Sequence, residues 1–147
     1  MGTVEAVRGA GGSVTEFRDL LDQALSEVDA DDQAGPLLRA AGVRVRLEVP
    51  DLGLVLNVAP SEEPGHHLRW AFSDAGAWQP KLSLSMDSEV ANAYLQGKES
   101  LAIGIARREV RCECETRFAL LYVPAIRLIV DRYRKLVRSE HPRLLID

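Results

Sequence analysis

The sequence predicts an α+β fold, in which a five-stranded, mainly antiparallel or mixed sheet is covered by helices and preceded by an N-terminal helical extension. Apolar residues recur at helical spacing between residues 13 and 28, then alternate with polar ones in short runs from residue 43 onward. The chain closes on a long apolar segment at residues 118–130. Its 147 residues are the length of about one domain and suffice for one buried core.

The first 42 residues are predicted to be a flexible leader followed by two helices. Residues 1–12 end in a glycine-rich run and form the leader. Residues 13–16 have the spacing of a capping box, and an apolar stripe continues from them to Val28. A short second helix is predicted from Pro36 to a stop at Gly42. We expect residues 13–42 to pack on the domain that follows.

Five runs of alternating apolar and polar residues predict the strands. Turn-forming residues separate the first four runs at a spacing typical of hairpins. The runs cover residues 43–49, 54–58, 68–72, 82–86 and 110–114.

Helices are predicted to fill the remaining segments. A short capped helix follows Asp87 and runs to Gly97, whereas residues 99–106 are compatible with helix or strand. A last helix begins at Thr116, is bent or restarted at Pro124, and leaves residues 139–147 as a C-terminal tail. The main domain is therefore predicted to be residues 43–138.

Composition excludes several classes of protein. Apolar residues make up 46% of the chain and charged residues 27%, which excludes a disordered chain. The longest apolar stretch, residues 118–130, contains Arg127 and is shorter than the roughly 20 residues that span a bilayer. Residues 1–12 contain no apolar signal region, so we expect a cytoplasmic protein. The net charge of −4 argues against nucleic acid as a partner, although the C-terminal third is basic.

The sequence offers no pattern typical of a metal site or a catalytic centre. Cys112 and Cys114 are the only cysteines, one residue apart, and are better explained as small core residues on a strand than as zinc ligands. His66 and His67 are neighbours on or beside a strand, where adjacent side chains point to opposite faces. No phosphate-binding loop or nucleophile motif occurs. We expect no catalytic residue, no metal and no cofactor.

The closing helix carries more apolar residues than one contact face needs. Residues 118–126 are apolar on all sides, and residues 128–130 continue the run. That excess predicts packing on the N-terminal helices, a hydrophobic ligand cavity, or an interface with another chain or a lipid surface.

The order of elements resembles the sterol carrier protein type two family of lipid-binding domains, and in particular its bacterial members. The similarity covers residues 43–138. It lies in a strand, a short helix and a polar turn, namely Pro80-Lys81-Leu82-Ser83-Leu84-Ser85-Met86-Asp87, then Glu89-Val90-Ala91-Asn92, then Leu95-Gln96-Gly97-Lys98. Residues 101–108, 122–124 and 132–134 are similar to the corresponding parts of bacterial members. The family's last strand is flanked by glycines, whereas residues 108–115 contain none.

The resemblance implies a sheet with helices packed on it and a hydrophobic tunnel or cavity between them. It implies binding of sterols, fatty acyl chains or other apolar molecules without catalysis. One wall of the pocket would consist of Trp70, Phe72, Leu82 and Leu84. The opposite wall would consist of Tyr94, Phe118, Leu121, Tyr122 and Ile126.

An alternative function is an assembly module of the same fold. In that case the excess apolar surface forms a homodimer interface and no cavity is open. Weak contact with a membrane surface is a further expectation, because basic residues of the last helix lie on one side of it.

Overall fold

The computed structural model, which describes residues 13–72, 79–96, 98, 101–114 and 116–140, contains five strands and five α-helices in the described residues. Their bounds are α1 Ser13–Ala30, α2 Ala34–Ala40, β1 Val45–Val49, β2 Leu54–Pro60, β3 Leu68–Ala71, β4 Leu82–Met86, α3 Ser88–Leu95, α4 Leu101–Ala106, β5 Val110–Cys114 and α5 Thr116–Glu140. The predicted leader and residues 141–147 of the predicted tail lie outside the described residues.

The strands form one mixed sheet in the order β3-β2-β1-β4-β5. β1 runs parallel to β4, and the other neighbouring pairs are antiparallel. Between β1 and β2 the chain makes a 3₁₀ turn, Pro50–Leu52, and passes through Gly53 at φ +62°, which glycine adopts without strain. The predicted α+β class with a five-stranded mixed sheet is confirmed.

Cross-strand rows of apolar residues form the inner face of the sheet. Directly paired residues lie on the same face, so the register places their side chains side by side. One row is Trp70–Val58–Val45–Leu82, and the next is Leu56–Leu47–Leu84–Cys112. The intervening residues, such as Arg46 and Ser83, point to the opposite face, which is why the sequence alternates.

Helices α1 and α5 pack on each other and cover the inner face. The ring of Phe17 in α1 meets that of Tyr133 in α5 edge to face, with 6.2 Å between centroids. At the surface, Arg132 in α5 lies 3.1 Å from a carboxylate oxygen of Asp31 and 3.5 Å from one of Glu27. Because these ion pairs are partly exposed, the apolar contact supplies most of the stabilisation.

Helix α5 is joined to α3 by a buried polar network. The hydroxyl of Tyr133 donates to Oδ1 of Asn92 at 2.8 Å, and Nε2 of Gln96 donates to the same oxygen at 2.7 Å. All three side chains are buried, and burial raises the pKa of Tyr133 well above its ordinary value. These bonds fix α3 against α5, since a buried polar group without a partner is costly.

The helix predictions differ from the structure at particular residues. α2 begins at Ala34, not Pro36, because the carboxylate of Asp31 accepts hydrogen bonds from the backbone N–H groups of Gln33 and Ala34 and caps the helix. Residues 101–106 are helical. α5 runs unbroken through Pro124, whose ring is exposed, so the missing hydrogen bond lies on the solvent side.

The start of α3 is held by a residue distant in sequence. Asp87 occupies the N-cap position but makes no capping hydrogen bond with its side chain. Instead, the carboxylate of Asp51 accepts from the backbone N–H of Ser88 at 2.9 Å and from its hydroxyl at 2.6 Å. The 3₁₀ turn after β1 is thereby tied to α3.

Candidate ligand-binding cavity

An apolar cavity lies between the inner face of the sheet and helices α1, α3 and α5. The sheet side of its lining is formed by Val45, Leu47, Leu56, Val58, Leu84 and Met86, together with Val43 just before β1. The helix side is formed by Leu21, Leu25, Ala91, Tyr94, Leu95, Ile126 and Ile129. The wall is almost wholly hydrocarbon, so any molecule held inside is recognised by shape and apolar contact.

The cavity encloses about 60 Å³. Ligand pockets usually enclose roughly 300–1,000 Å³, so this conformation accommodates the end of a thin alkyl chain and not a whole sterol. Water gains little by entering, because the lining offers almost no hydrogen-bonding partner.

Tyr94 is the lining residue that carries a hydroxyl group. Its side chain is half-buried, and burial raises the pKa of its hydroxyl above the ordinary 10.0, while the positive charge of the nearby Arg127 opposes that rise. Arg127 itself is exposed. Tyr94 is therefore a partly exposed residue of the cavity wall that lies near a cation.

Three of the residues predicted to line the pocket lie together in this cavity. Leu84 comes from the sheet, Tyr94 from α3 and Ile126 from α5. Leu82 is fully buried in the same row of the inner face as Val45 and Val58, but unlike them it does not line the cavity. The side chains of Phe118 and Leu121 lie outside the described part of the structure.

The other three residues predicted to line the pocket are Tyr122, Trp70 and Phe72, and none of them lines this cavity. Tyr122 is buried, and its hydroxyl donates to the backbone carbonyl of Gly42 at 2.9 Å, which joins α5 to the segment before β1. Burial raises the pKa of Tyr122, although a hydrogen bond with the backbone of Arg44 opposes the rise.

Trp70 and Phe72 lie at the β3 edge of the sheet. The indole N–H of Trp70 donates to a carboxylate oxygen of Asp22 in α1 at 2.7 Å. The guanidinium of Arg18 lies over the ring of Phe72, and the distance from Cζ of Arg18 to the ring centroid is 5.0 Å. Both aromatic side chains therefore connect β3 to α1.

Sequence reasoning missed most of the helix side of the lining, above all Leu21 and Leu25 of α1. Their helical spacing predicted a buried stripe, and both are buried. The helical spacing does not reveal which side chains this apolar face of α1 meets. The prediction therefore assigned the pocket only to the sheet and the later helices.

The loop between β2 and β3 is tied to the end of α1 by Asp29. One carboxylate oxygen of Asp29 accepts from the backbone N–H groups of His67 at 2.6 Å and Leu68 at 2.8 Å. The other oxygen is 2.7 Å from Nδ1 of His66. Burial alone raises the pKa of Asp29, but the hydrogen bonds from His66 and from the two amides outweigh it and lower the pKa overall. The same hydrogen bond raises the pKa of His66.

An open cleft of about 520 Å³ lies beside this loop. Its lining mixes cations and carboxylates, including Arg44, Arg69, Glu62, Glu63 and His66, and it also contains Trp70. The lining carries charges of both signs, so the cleft has no single electrostatic preference for a ligand.

The described residues contain no cluster of three or more side chains suited to a metal ion. Cys112 is half-buried and packs against the core, and the side chain of Cys114 lies outside the described residues. Among the described helices, none is both long and apolar enough to cross a membrane.

Comparison with solved structures identifies the arrangement. The chain is similar to a ubiquinone synthesis protein, UbiJ-SCP2, with 18% identity and a TM-score of 0.53, over 79% of this chain and 94% of that one. The chain has a sterol-carrier-like fold. No protein-family model and no curated protein sequence matches it.

Two further structures are similar to parts of this fold with lower scores. Sterol carrier protein 2 from Yarrowia lipolytica in its apo form is 11% identical over 79% of this chain and 88% of that one, with a TM-score of 0.49. The inverting sec-alkylsulfatase Pisa1 from Pseudomonas sp. is 9% identical over 58% of this chain, with a TM-score of 0.47. This chain spans 13% of the length of that sulfatase.

Proposed function

We propose that this protein is a non-catalytic carrier that holds one apolar small molecule, a fatty acyl chain, a sterol or another lipid-like compound, in the cavity between sheet and helices. The observation that carries the proposal is the nearly continuous hydrocarbon lining, to which the sheet, α1, α3 and α5 all contribute. The sterol-carrier-like fold supports it. Apolar burial supplies the binding energy, at about 25 cal/mol per Å² of surface removed from water.

A whole ligand requires the cavity to widen. The sheet wall is held by backbone hydrogen bonds between strands, whereas the helix wall rests on side-chain contacts such as those of Leu21 and Ile129. The helix wall is therefore the one that yields. An apolar void of 60 Å³ lowers the free energy of unfolding by about 1.4 kcal/mol at roughly 24 cal/mol per Å³, and a bound chain recovers that loss.

The polar end of the ligand is placed beside Tyr94. The remaining described lining offers almost no polar atom, so a carboxylate or hydroxyl group would lose its hydration anywhere else in the cavity. At Tyr94 it meets a hydroxyl and the positive charge of Arg127.

The homodimer alternative has less support. It was suggested by the excess of apolar residues on the last helix, and in the structure Ile126, Ile129 and Val130 are already buried within one chain. That part of the helix therefore offers little apolar surface to a second copy.

Replacing each of two native alanines by leucine tests the proposal. Ala91 in α3 lines the cavity, whereas Ala24 in α1 is equally buried but does not line it. Leucine at position 91 fills the void that a ligand needs, whereas leucine at position 24 overpacks a region that is already filled. Alanine and leucine are both good helix formers, so neither substitution weakens its helix directly. Binding of cis-parinaric acid, a fluorescent fatty acid, is measured by titration, and stability by thermal unfolding.

We expect Ala91→Leu to weaken probe binding by about tenfold or more while its unfolding temperature stays at or above that of the wild type. Ala24→Leu is expected to unfold at a lower temperature and to bind the probe normally while folded. Val58→Ile, which adds one methylene from the sheet side of the cavity, provides a second test. Unchanged probe binding in folded Ala91→Leu and Val58→Ile would exclude this cavity as the binding site.

A further inference from the structure

Helix α4 exposes large apolar side chains at the surface. Its sequence, Leu101–Ala106, contains no polar side chain. Ile103 is 48% exposed and Ile105 40% exposed; together with Leu37 they are the exposed large apolar side chains among the described residues. A helix that is apolar on all sides is expected inside a protein core or in contact with lipid.

Gly104 explains why the neighbouring isoleucines are outside. A Cβ atom on Gly104 would lie 2.7 Å from Cγ2 of Val110, so the helix backbone rests directly on β5. Successive helix residues are about 100° apart, so Ile103 and Ile105 project to the two flanks of this contact. Ala106 is exposed as well, and the accessible described side chains of α4 are therefore apolar.

Two arginines follow this helix at once. Arg107 and Arg108 are both exposed, as is Arg111 in β5, while Glu109 and Glu113 place two carboxylates nearby. The local balance of these five residues is positive, although the whole chain has a net charge of −4.

Arg108 occupies a conformation that usually requires glycine. Its φ is +63°, and it is the one non-glycine residue with positive φ in the described part of the chain. The N–H of Arg108 donates to the carbonyl of Ile105 and that of Glu109 to the carbonyl of Gly104, which is a Schellman ending with arginine at the glycine position. Strained residues of this kind concentrate at functional positions.

We propose that Ile103, Ile105, Ala106, Arg107 and Arg108 form a docking patch for the surface of an anionic phospholipid bilayer. The isoleucines enter the boundary between headgroups and acyl chains, and the arginines pair with lipid phosphates. A second copy of this chain fits less well as the partner. The apolar surface of two isoleucines and an alanine is far smaller than the roughly 1,200–2,000 Å² that a stable protein–protein interface buries.

The docking patch is connected to the cavity wall through two side chains. Gly104 contacts Val110, Val110 pairs with Met86 across the sheet, and Met86 lines the cavity. A bilayer bound at the patch therefore lies on the same side of the cavity as β5. The docking does not depend on an occupied cavity, so its test is separate from that of the carrier function.

The test is co-sedimentation with vesicles of phosphatidylcholine alone and of equal parts phosphatidylcholine and phosphatidylglycerol. The full chain is compared with Ile103→Ser/Ile105→Ser and with Arg107→Gln/Arg108→Gln. Leu37→Ser/Arg39→Gln is the matched control, because Leu37 is 58% exposed and Arg39 is exposed on another helix.

We expect binding to the anionic vesicles, weaker at high salt. The isoleucine variant should lose about tenfold in partitioning, and the arginine variant about fivefold for each cation removed, while the control keeps wild-type binding. Equal loss in the control, wild-type binding by both patch variants, or no binding by the wild type would each overturn the proposal. So would a wild-type dimer, seen by sedimentation equilibrium, that the isoleucine variant abolishes.

Arg108→Gly separates docking from folding. Glycine relieves the positive φ, so this variant should unfold at a higher temperature than the wild type while binding anionic vesicles about fivefold more weakly. An Arg108→Gly protein that is more stable and binds as tightly as the wild type would show that Arg108 does not contact lipid.

Discussion

Replacing Asp29 with alanine removes the connection between α1 and the β2–β3 loop. Its side chain is 6% exposed and accepts hydrogen bonds from the backbone N–H groups of His67 and Leu68 through one oxygen and from His66 through the other. Leu68 is buried, so its amide depends on this carboxylate for a hydrogen bond.

The cost follows from the bonds that are lost. A hydrogen bond to a charged group contributes about 1.5–3 kcal/mol, so loss of the two amide bonds lowers the free energy of unfolding by about 3–6 kcal/mol. For a chain of this length, at about 3 °C per kcal/mol, that corresponds to a fall of roughly 10–20 °C in the unfolding temperature. Asp29→Asn retains an oxygen for both amides and should lose about 1 kcal/mol.

The contribution of the ionic pair depends on pH. Asp29 has a lowered pKa, so its contribution is present above the ordinary value of 3.8 and is lost as the pH falls through the folded pKa. His66 has a raised pKa, so its contribution is present below the ordinary value of 6.5 and is lost as the pH rises through the folded pKa. The stability difference between the wild type and Asp29→Asn should therefore be largest between pH 3.8 and 6.5.

Urea unfolding followed by circular dichroism, repeated across this pH range, measures these differences. Asp32→Ala is the matched control, because Asp32 is exposed and its side chain makes no hydrogen bond within the described part of the chain. If Asp29→Ala cost no more than Asp32→Ala, the carboxylate would not hold the loop, and the reasoning from its hydrogen bonds would be refuted.

Three further substitutions are measured by the same unfolding experiment. Gly35→Ala should lower the free energy of unfolding by about 1–3 kcal/mol, although alanine favours helix, because the new Cβ would lie 2.7 Å from the ring of His67. Tyr133→Phe should lower it by about 1–3 kcal/mol, since it removes a donor from a buried amide oxygen. Asp51→Ala should lower it by about 1–2 kcal/mol and Asp87→Ala by less, because only Asp51 caps α3 with its side chain.

Each of these expectations has a contrary result. Wild-type stability of Gly35→Ala would mean that the ring beside it moves at little cost. Tyr133→Phe unfolding together with the wild type would show that the buried amide finds another donor. A larger loss in Asp87→Ala than in Asp51→Ala would assign the cap to the local residue.

The strands could be predicted because apolar and polar residues alternate along them, and β4 shows the physical reason most clearly. Leu82, Leu84 and Met86 are buried, whereas Ser83 and Ser85 between them are partly exposed, and this difference is what the alternating sequence records. Residues 101–106 gave no such signal, because both faces of α4 are apolar and the contact is made by a glycine. The domain boundaries at residues 43 and 138 remain predictions.

The cavity could be predicted only in outline. Apolar residues on the sheet, α3 and α5 indicated a pocket, and Leu84, Tyr94 and Ile126 line the one that the structure contains. Trp70 and Tyr122 have the same apolar character in sequence, but their polar atoms bond to Asp22 and to the carbonyl of Gly42. Side-chain type does not distinguish a residue that lines a space from one that fixes two elements together.

Outside residues 101–106, the sequence by itself determined which segments are strands or helices and which of their faces are apolar, because periodicity follows from local geometry and the removal of apolar groups from water. Only the tertiary structure decided what those faces meet. It placed Asp51 at the start of α3, Asp29 beneath the β2–β3 loop and α1 over the cavity, and it set the volume of that cavity at about 60 Å³. These outcomes depend on contacts between residues far apart in the chain, for which local periodicity carries no information.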